Sequence, residues 1–198
     1  MLHKGKSATV RDVADAALDP RLLDATIAVL AETGWEGVTL ERVAEQAGRS
    51  RVTLWRQGVT QDVLLGALLD AVADDFSGTM SHVFTSEGSG RDHLVRAMTA
   101  LCEVIDRHLP LVLASDTVFH QGDPGTRQVN YLDPFVQFVH EGAADGSLHP
   151  RGSLDDVADI VFNSVAWTYT HMRGRHHWSR DRARRMITDL VMRGVGQA

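Results

Sequence analysis

The chain has 198 residues, of which 43% are apolar and 23% charged, with a net charge of −6 when the histidines are neutral. That balance suits one large globular domain or two small ones and excludes a disordered chain. The single cysteine, Cys102, excludes an internal disulfide framework; no apolar run approaches the ~18 residues of a membrane span and no secretory h-region opens the sequence, so a cytoplasmic protein is expected.

Residues 1–18 are polar and alanine-rich and read as a loose arm. Asp19-Pro20 opens a helix, with Asp suited to the N-cap and Pro to the first helical position. Leu23, Ile27 and Leu30 repeat on one face, and Gly34 ends it. Trp35, Glu36 and Gly37 make a turn. Thr39 caps a second, short helix in which Leu40, Val43, Ala44 and Ala47 recur at helical spacing, until Gly48 breaks it. Ser50 caps a third, ended by Gly58. Leu40, Val43, Val52 and Leu54 are expected to anchor this pair on the first helix.

Thr60 caps a long fourth helix, with Asp62 in the first turn, where the macrodipole favours an acid. Its apolar face fades after Met80. Residues 87–90 form a loop and 91–108 a helix carrying Leu94, Met98, Leu101 and Ile105. Pro110 starts a short apolar segment to about His120, and residues 121–125 are a loop. The next helix runs to about Ala144, with Pro134 inside it to kink or split it. Ser153 and Asp156 resemble a capping box ahead of an apolar stripe from Val157 to Met172. After a link at 174–178, Ser179 caps a last helix with Ala183, Met186, Ile187, Leu190 and Val191. Strand alternation is absent almost everywhere, and no repeat is found. The fold class is all-α.

The acidity is diffuse, whereas Arg42, Arg49, Arg51 and Arg56 lie within fifteen residues, opposed only by Glu45. They fall on the two short helices joined through Gly48, a helix-turn-helix pattern. Ala44 is small where the helices cross, and Gly48 supplies a turn suited to positive φ. The second helix then offers its N-terminal, outward side chains to a major groove. Two short helices around a glycine also occur in α-domains that bind no DNA.

Residues 20–69 resemble the N-terminal domain of TetR-type transcriptional repressors, through "GWEGVTLERVAEQAGRSRVTLW" and then "TQDVLL" opening the long helix. Three positions depart from that pattern: Trp55 replaces a Tyr, Gly58 replaces a Phe that packs the recognition helix, and Gln61 replaces a Lys that meets phosphate. The resemblance implies a helix-turn-helix domain at 1–60, joined by the long helix to a helical effector-binding and dimerisation domain at 61–198. Carried over by position, the DNA contacts are Thr39, Arg49, Ser50, Arg51, Thr53, Trp55, Arg56 and Gln57. The implied partners are a double-stranded DNA operator, a mostly apolar small-molecule effector and a second copy of the chain, paired through the last two helices. Effector-lining candidates are Met98, Leu101, Cys102, Phe119, Phe135, Phe138, Trp167 and His171, since Met and flat aromatics suit an apolar ligand. The implied function is a ligand-responsive repressor released from a palindromic operator.

Other classes fit less well. His171, His176 and His177 lie near Trp167 and Asp181, but no HExxH or comparable ligand spacing occurs, and neither does a nucleophile elbow, a P-loop or a dinucleotide fingerprint. No enzyme, cofactor, catalytic residue or metal site is therefore read, and no membrane partner. The alternative is a helical interaction or ligand-binding module whose DNA binding is weakened or lost, through Gly58 and Gln61.

Overall fold

Asp19 turns the chain into its first helix: its carboxylate accepts the Arg21 N–H at 3.0 Å, and Pro20, which has no N–H to strand, takes the first turn. The protein, as a computed structural model, is described for residues 19–114 and 129–195. The helices are α1 (Pro20–Thr33), α2 (Leu40–Gln46), α3 (Arg51–Arg56), α4 (Gln61–Phe84), α5 (Gly90–Arg107), α6 (Leu109–Ala114), α7 (Asp133–Ala144), α8 (Leu154–Gly174) and α9 (Arg180–Val195). A 3-10 turn, Trp35–Gly37, follows α1. No strand occurs among the described residues, so the all-α expectation holds. The chain divides into two compact units between Ala71 and Val72, within α4.

In the first unit α1 packs on α2, and α2 on α3. Leu22, Leu30, Val38, Val43, Leu54, Val59 and Leu64 are fully or almost fully buried and supply its core. Val52 was expected among these anchors and is instead 56% exposed. Helix periodicity explains the correction: two residues turn a helix by about 200°, so burial of Leu54 sends Val52 outward.

In the second unit α5 packs against α7, α8 and α9, and α8 also pairs with α7 and α9. Ser89 and Asp92 form a full capping box at the start of α5, unread in the sequence. The α5 start is also clamped to the loop after α7: the Gly90 and Arg91 amides donate to Asp145 and Ser147 side chains at 2.8 and 3.0 Å. A Cβ on Gly90 would stand 2.1 Å from the Gly142 nitrogen, so these helices approach backbone to backbone. Pro134 neither kinks nor splits a helix. It sits in the first turn of α7, where a missing N–H costs nothing. Also, α4 extends past Met80 to Phe84, whose ring packs 5.0 Å from Phe138.

Two partly buried carboxylates of this unit pair across helices. Asp106 accepts Tyr169 Oη–H at 2.5 Å and Arg173 Nε–H at 2.7 Å. Asp75 receives Arg107 and His108 at 2.7 and 2.9 Å. Desolvation pushes the Asp75 carboxyl up, but the hydrogen bonds from those two partners outweigh it and hold it below its ordinary range. The N-terminal arm, the 121–125 loop, the apolar segment from 115 and Phe119 lie outside the described residues.

Candidate nucleic-acid interface

Thr39 starts the reader. Its hydroxyl accepts the Arg42 N–H at 3.3 Å, which sets the N-terminus of α2. Val43 and Ala44 bury the inner face. The turn closes as the Gly48 N–H donates to Glu45 O (3.0 Å) and the Arg49 N–H to Ala44 O (2.8 Å), with Gly48 at φ +63°. That left-handed conformation needs glycine, as the sequence implied.

Ser50 occupies the N-cap of α3, but its hydroxyl makes no capping bond, contrary to the role read for it. It is exposed, as are Thr39, Arg51, Thr53, Trp55 and Arg56. Trp55 shows 69% of its surface, beside the exposed Val52. One outward surface of α3 thus combines two guanidinium groups, two hydroxyls, an indole and an isopropyl group. Cations and hydroxyls suit phosphates and base edges, and the apolar groups suit a thymine methyl. Val52 is the exposed apolar residue of α3 that sequence reading places in the core; its two-residue offset from Leu54 is the available signal.

Arg49 and Gln57 sit differently. Arg49 Nη1 meets Asp19 Oδ2 at 2.6 Å, and its Nη2 donates to Gln57 Oε1 at 3.4 Å. Both side chains are half-buried and brace α3 against the start of α1. Gln61, where the resemblance expects Lys, donates its side-chain amide to Trp35 O at 3.4 Å. Gly58 takes φ +79° at the end of α3, and the next residue, Val59, fills the core at 0% exposure.

The effector-lining candidates fall into two sets. Met98, Leu101 and Cys102 on α5, with Phe135 and Phe138 on α7, are buried. Burial pushes the Cys102 thiol up to about 12. Trp167 and His171 lie exposed on α8, where the indole N–H donates to Asn163 Oδ1 at 3.1 Å. Cys102 also borders a cleft of ≈ 280 Å³ whose other walls are charged or polar, including Glu103, Asp106, Tyr169 and Arg184.

Residues 22–57 match the family described as bacterial regulatory proteins, tetR family. An uncharacterised HTH-type transcriptional regulator of Mycobacterium tuberculosis is 22% identical over 173 residues, covering 77% of this chain and 80% of that protein. Among solved structures, the ketosteroid transcriptional regulator KstR2 of Mycobacterium tuberculosis superposes with a TM-score of 0.74 at 17% identity, over 89% of this chain and 94% of that one. The TetR family regulator PfmR of Thermus thermophilus gives 0.75 at 15% identity, over 88% and 98%. FadR of Bacillus subtilis, solved with stearoyl-CoA, gives 0.68 at 15% identity, over 88% and 97%. The resemblance drawn from the sequence therefore holds over the reader, and the fold matches across most of the chain.

Proposed function

We propose that the chain is a transcriptional regulator of the tetR type, a ligand-responsive repressor that binds a palindromic operator as a homodimer; the family match over residues 22–57 supports this. The single observation that carries the DNA reading is the outward face of α3. There Arg51, Thr53, Trp55 and Arg56 stand exposed on a helix pinned from behind by Leu54. Thr39 and Ser50 flank it, and the half-buried Arg49 and Gln57 link it to the cap of α1 at Asp19. Arg51 and Arg56 supply counter-charge for phosphates, and Trp55 and Val52 supply apolar readout. The backbone N–H groups that open α4 at Gln61 offer a further phosphate contact without the missing Lys.

In this reading residues 1–60 form the reading domain and 61–198 the effector and pairing domain. Exposed Ile160 and Trp167 on α8, with Met186 and Leu190 on α9, supply the apolar face that supports homodimer pairing. Met98, Leu101, Phe135 and Phe138 supply the apolar surroundings for an effector, which favours a mostly hydrocarbon molecule. Of two proteins of the same fold, one is named for a ketosteroid and the other was solved with stearoyl-CoA, whose acyl chain is hydrocarbon. An effector acts by favouring one spacing of two reading domains over another, and α4, continuous from Gln61 to Phe84, is the element through which it acts.

Selection from a randomised duplex pool, followed by anisotropy titration at rising salt, tests the reading. Enrichment of an inverted repeat whose affinity falls steeply with salt is expected. Retention that is neither sequence-selective nor salt-dependent would leave a helical interaction module instead.

A further inference from the structure

His171, in the last turn of α8, and His176, two residues past its end, bring their Nε2 atoms to 3.1 Å, with ring centroids 4.9 Å apart and planes inclined at 61°. The backbone builds this approach. The Arg175 and His176 amides both donate to the His171 carbonyl, at 2.9 and 3.4 Å, and the Trp178 amide returns to Met172 O at 3.0 Å. His177 completes the reversal at φ 52°, a left-handed conformation rare outside glycine. Both imidazoles are exposed in the single chain.

We propose that His171 and His176 form a two-histidine site for a divalent transition-metal ion that prefers imidazole, of which Zn²⁺ is the probe. Two nitrogens at this separation can each lie about 2.0–2.1 Å from one ion, the usual Zn–N distance, with an angle of roughly 100° at the metal. Ligand rings on such an ion, each aimed along its lone pair, have centroids roughly 4.8 Å apart, close to the observed spacing. Rings facing each other head-on across the same nitrogen gap have centroids farther apart, at roughly 5.4 Å, so these rings are not collinear and their spacing matches that of two ligands on one ion. In the metal-free pair one Nε2–H donates and the other Nε2 accepts. Cation binding needs both lone pairs, which a neutral pair provides once the donating ring moves its proton to Nδ1.

No set of three or more His, Cys, Asp or Glu side chains suited to a metal gathers among the described residues. The pair is therefore this chain's contribution, and water or an added ligand completes the coordination. The inference does not depend on the DNA reading.

The test is calorimetric titration of the full-length, chelator-stripped protein with ZnCl₂. One saturable site per chain is expected. His171→Ala and His176→Ala each weaken it by at least the roughly tenfold that loss of a mere outer partner of a metal ligand costs. His140→Ala is the control, because exposed His140 pairs with Asp155 at 2.7 Å, away from the pair in sequence. It leaves Zn²⁺ affinity unchanged. Since both site residues are exposed, circular dichroism confirms that the variants stay folded. Absence of saturable binding, or binding that survives His171→Ala, or binding lost with His140→Ala, overturns the assignment.

Discussion

Arg49 Nη1 lies 2.6 Å from Asp19 Oδ2, so the residue that follows the turn glycine is tied to the cap of the first helix. One carboxylate thereby starts α1 and braces the approach to α3. Asp19→Ala removes both interactions and is expected to cost about 1–2 kcal/mol, from a cap worth about 1 and a partly exposed ion pair worth less than about 1. Asp19→Asn keeps the cap and loses the charge, so it recovers most of that loss. Urea denaturation of the two variants separates the contributions.

Arg51 has the opposite character. It is exposed and holds no ion pair among the described residues. Arg51→Ala is expected to leave the stability within about 0.5 kcal/mol of the parent. It lowers operator affinity and reduces the salt slope by about one unit. Anisotropy titrations at several salt concentrations read both quantities, and an unchanged slope places Arg51 away from phosphate.

The reader was largely legible because its signals are local. Asp19, Thr39 and Gly48 act within a few residues of themselves, and the structure gives each its expected place. Signals that depend on a partner far along the chain were not legible. Nothing near Arg49 marks its pairing with Asp19, thirty positions back. Nothing beside Gly90 indicates that Gly142 lies against it. Pro134 opens α7 instead of interrupting it, because that helix starts later than the apolar pattern around it implies. Trp167 and His171 continue an apolar stripe in sequence, yet that stripe is wider than the face α8 buries within its own chain.

Gly90→Ala tests the helix contact in the second unit. The added methyl would overlap the Gly142 backbone, which cannot move aside as a flexible side chain can. A loss of about 1–3 kcal/mol is expected, the range for overpacked sites, where an alanine in an open helix start has little effect. Gly78→Ala on α4 is the comparison: no atom stands within 4 Å of the place its methyl would take, and it is expected to stabilise slightly. Urea denaturation of both variants reads the difference.

His93 gives the second unit a pH dependence. Its Nδ1 lies 3.0 Å from Glu141 Oε2 and its Nε2 3.0 Å from Ser86 O. The Glu141 bond raises its pKa, desolvation opposes that rise, and the Ser86 carbonyl adds to it while Arg96 subtracts. The folded chain thus holds the proton more tightly than the unfolded chain. The resulting stabilisation is complete below the ordinary histidine value of about 6.5 and fades as pH rises through the raised folded value. Thermal melting temperatures from about pH 6 to 8.5 are expected to fall more steeply for the parent than for His93→Gln.

Leu190, 73% exposed, and Ile160, 66% exposed, carry the pairing proposal. Leu190→Glu is expected to convert a sedimenting dimer to a monomer without lowering helicity. A dimer that persists unchanged moves the pairing surface elsewhere.

The chain's one thiol is sealed in, with its ionisation displaced far above neutrality. Maleimides and thiol-directed nitroxide reagents are attacked by the thiolate, so the natural protein offers them almost no background. A single cysteine introduced on the reading surface can then carry a spectroscopic label alone. The distance between two such labels in the proposed pair of chains, with and without a candidate effector, becomes a direct ruler for the motion that the proposed regulation requires.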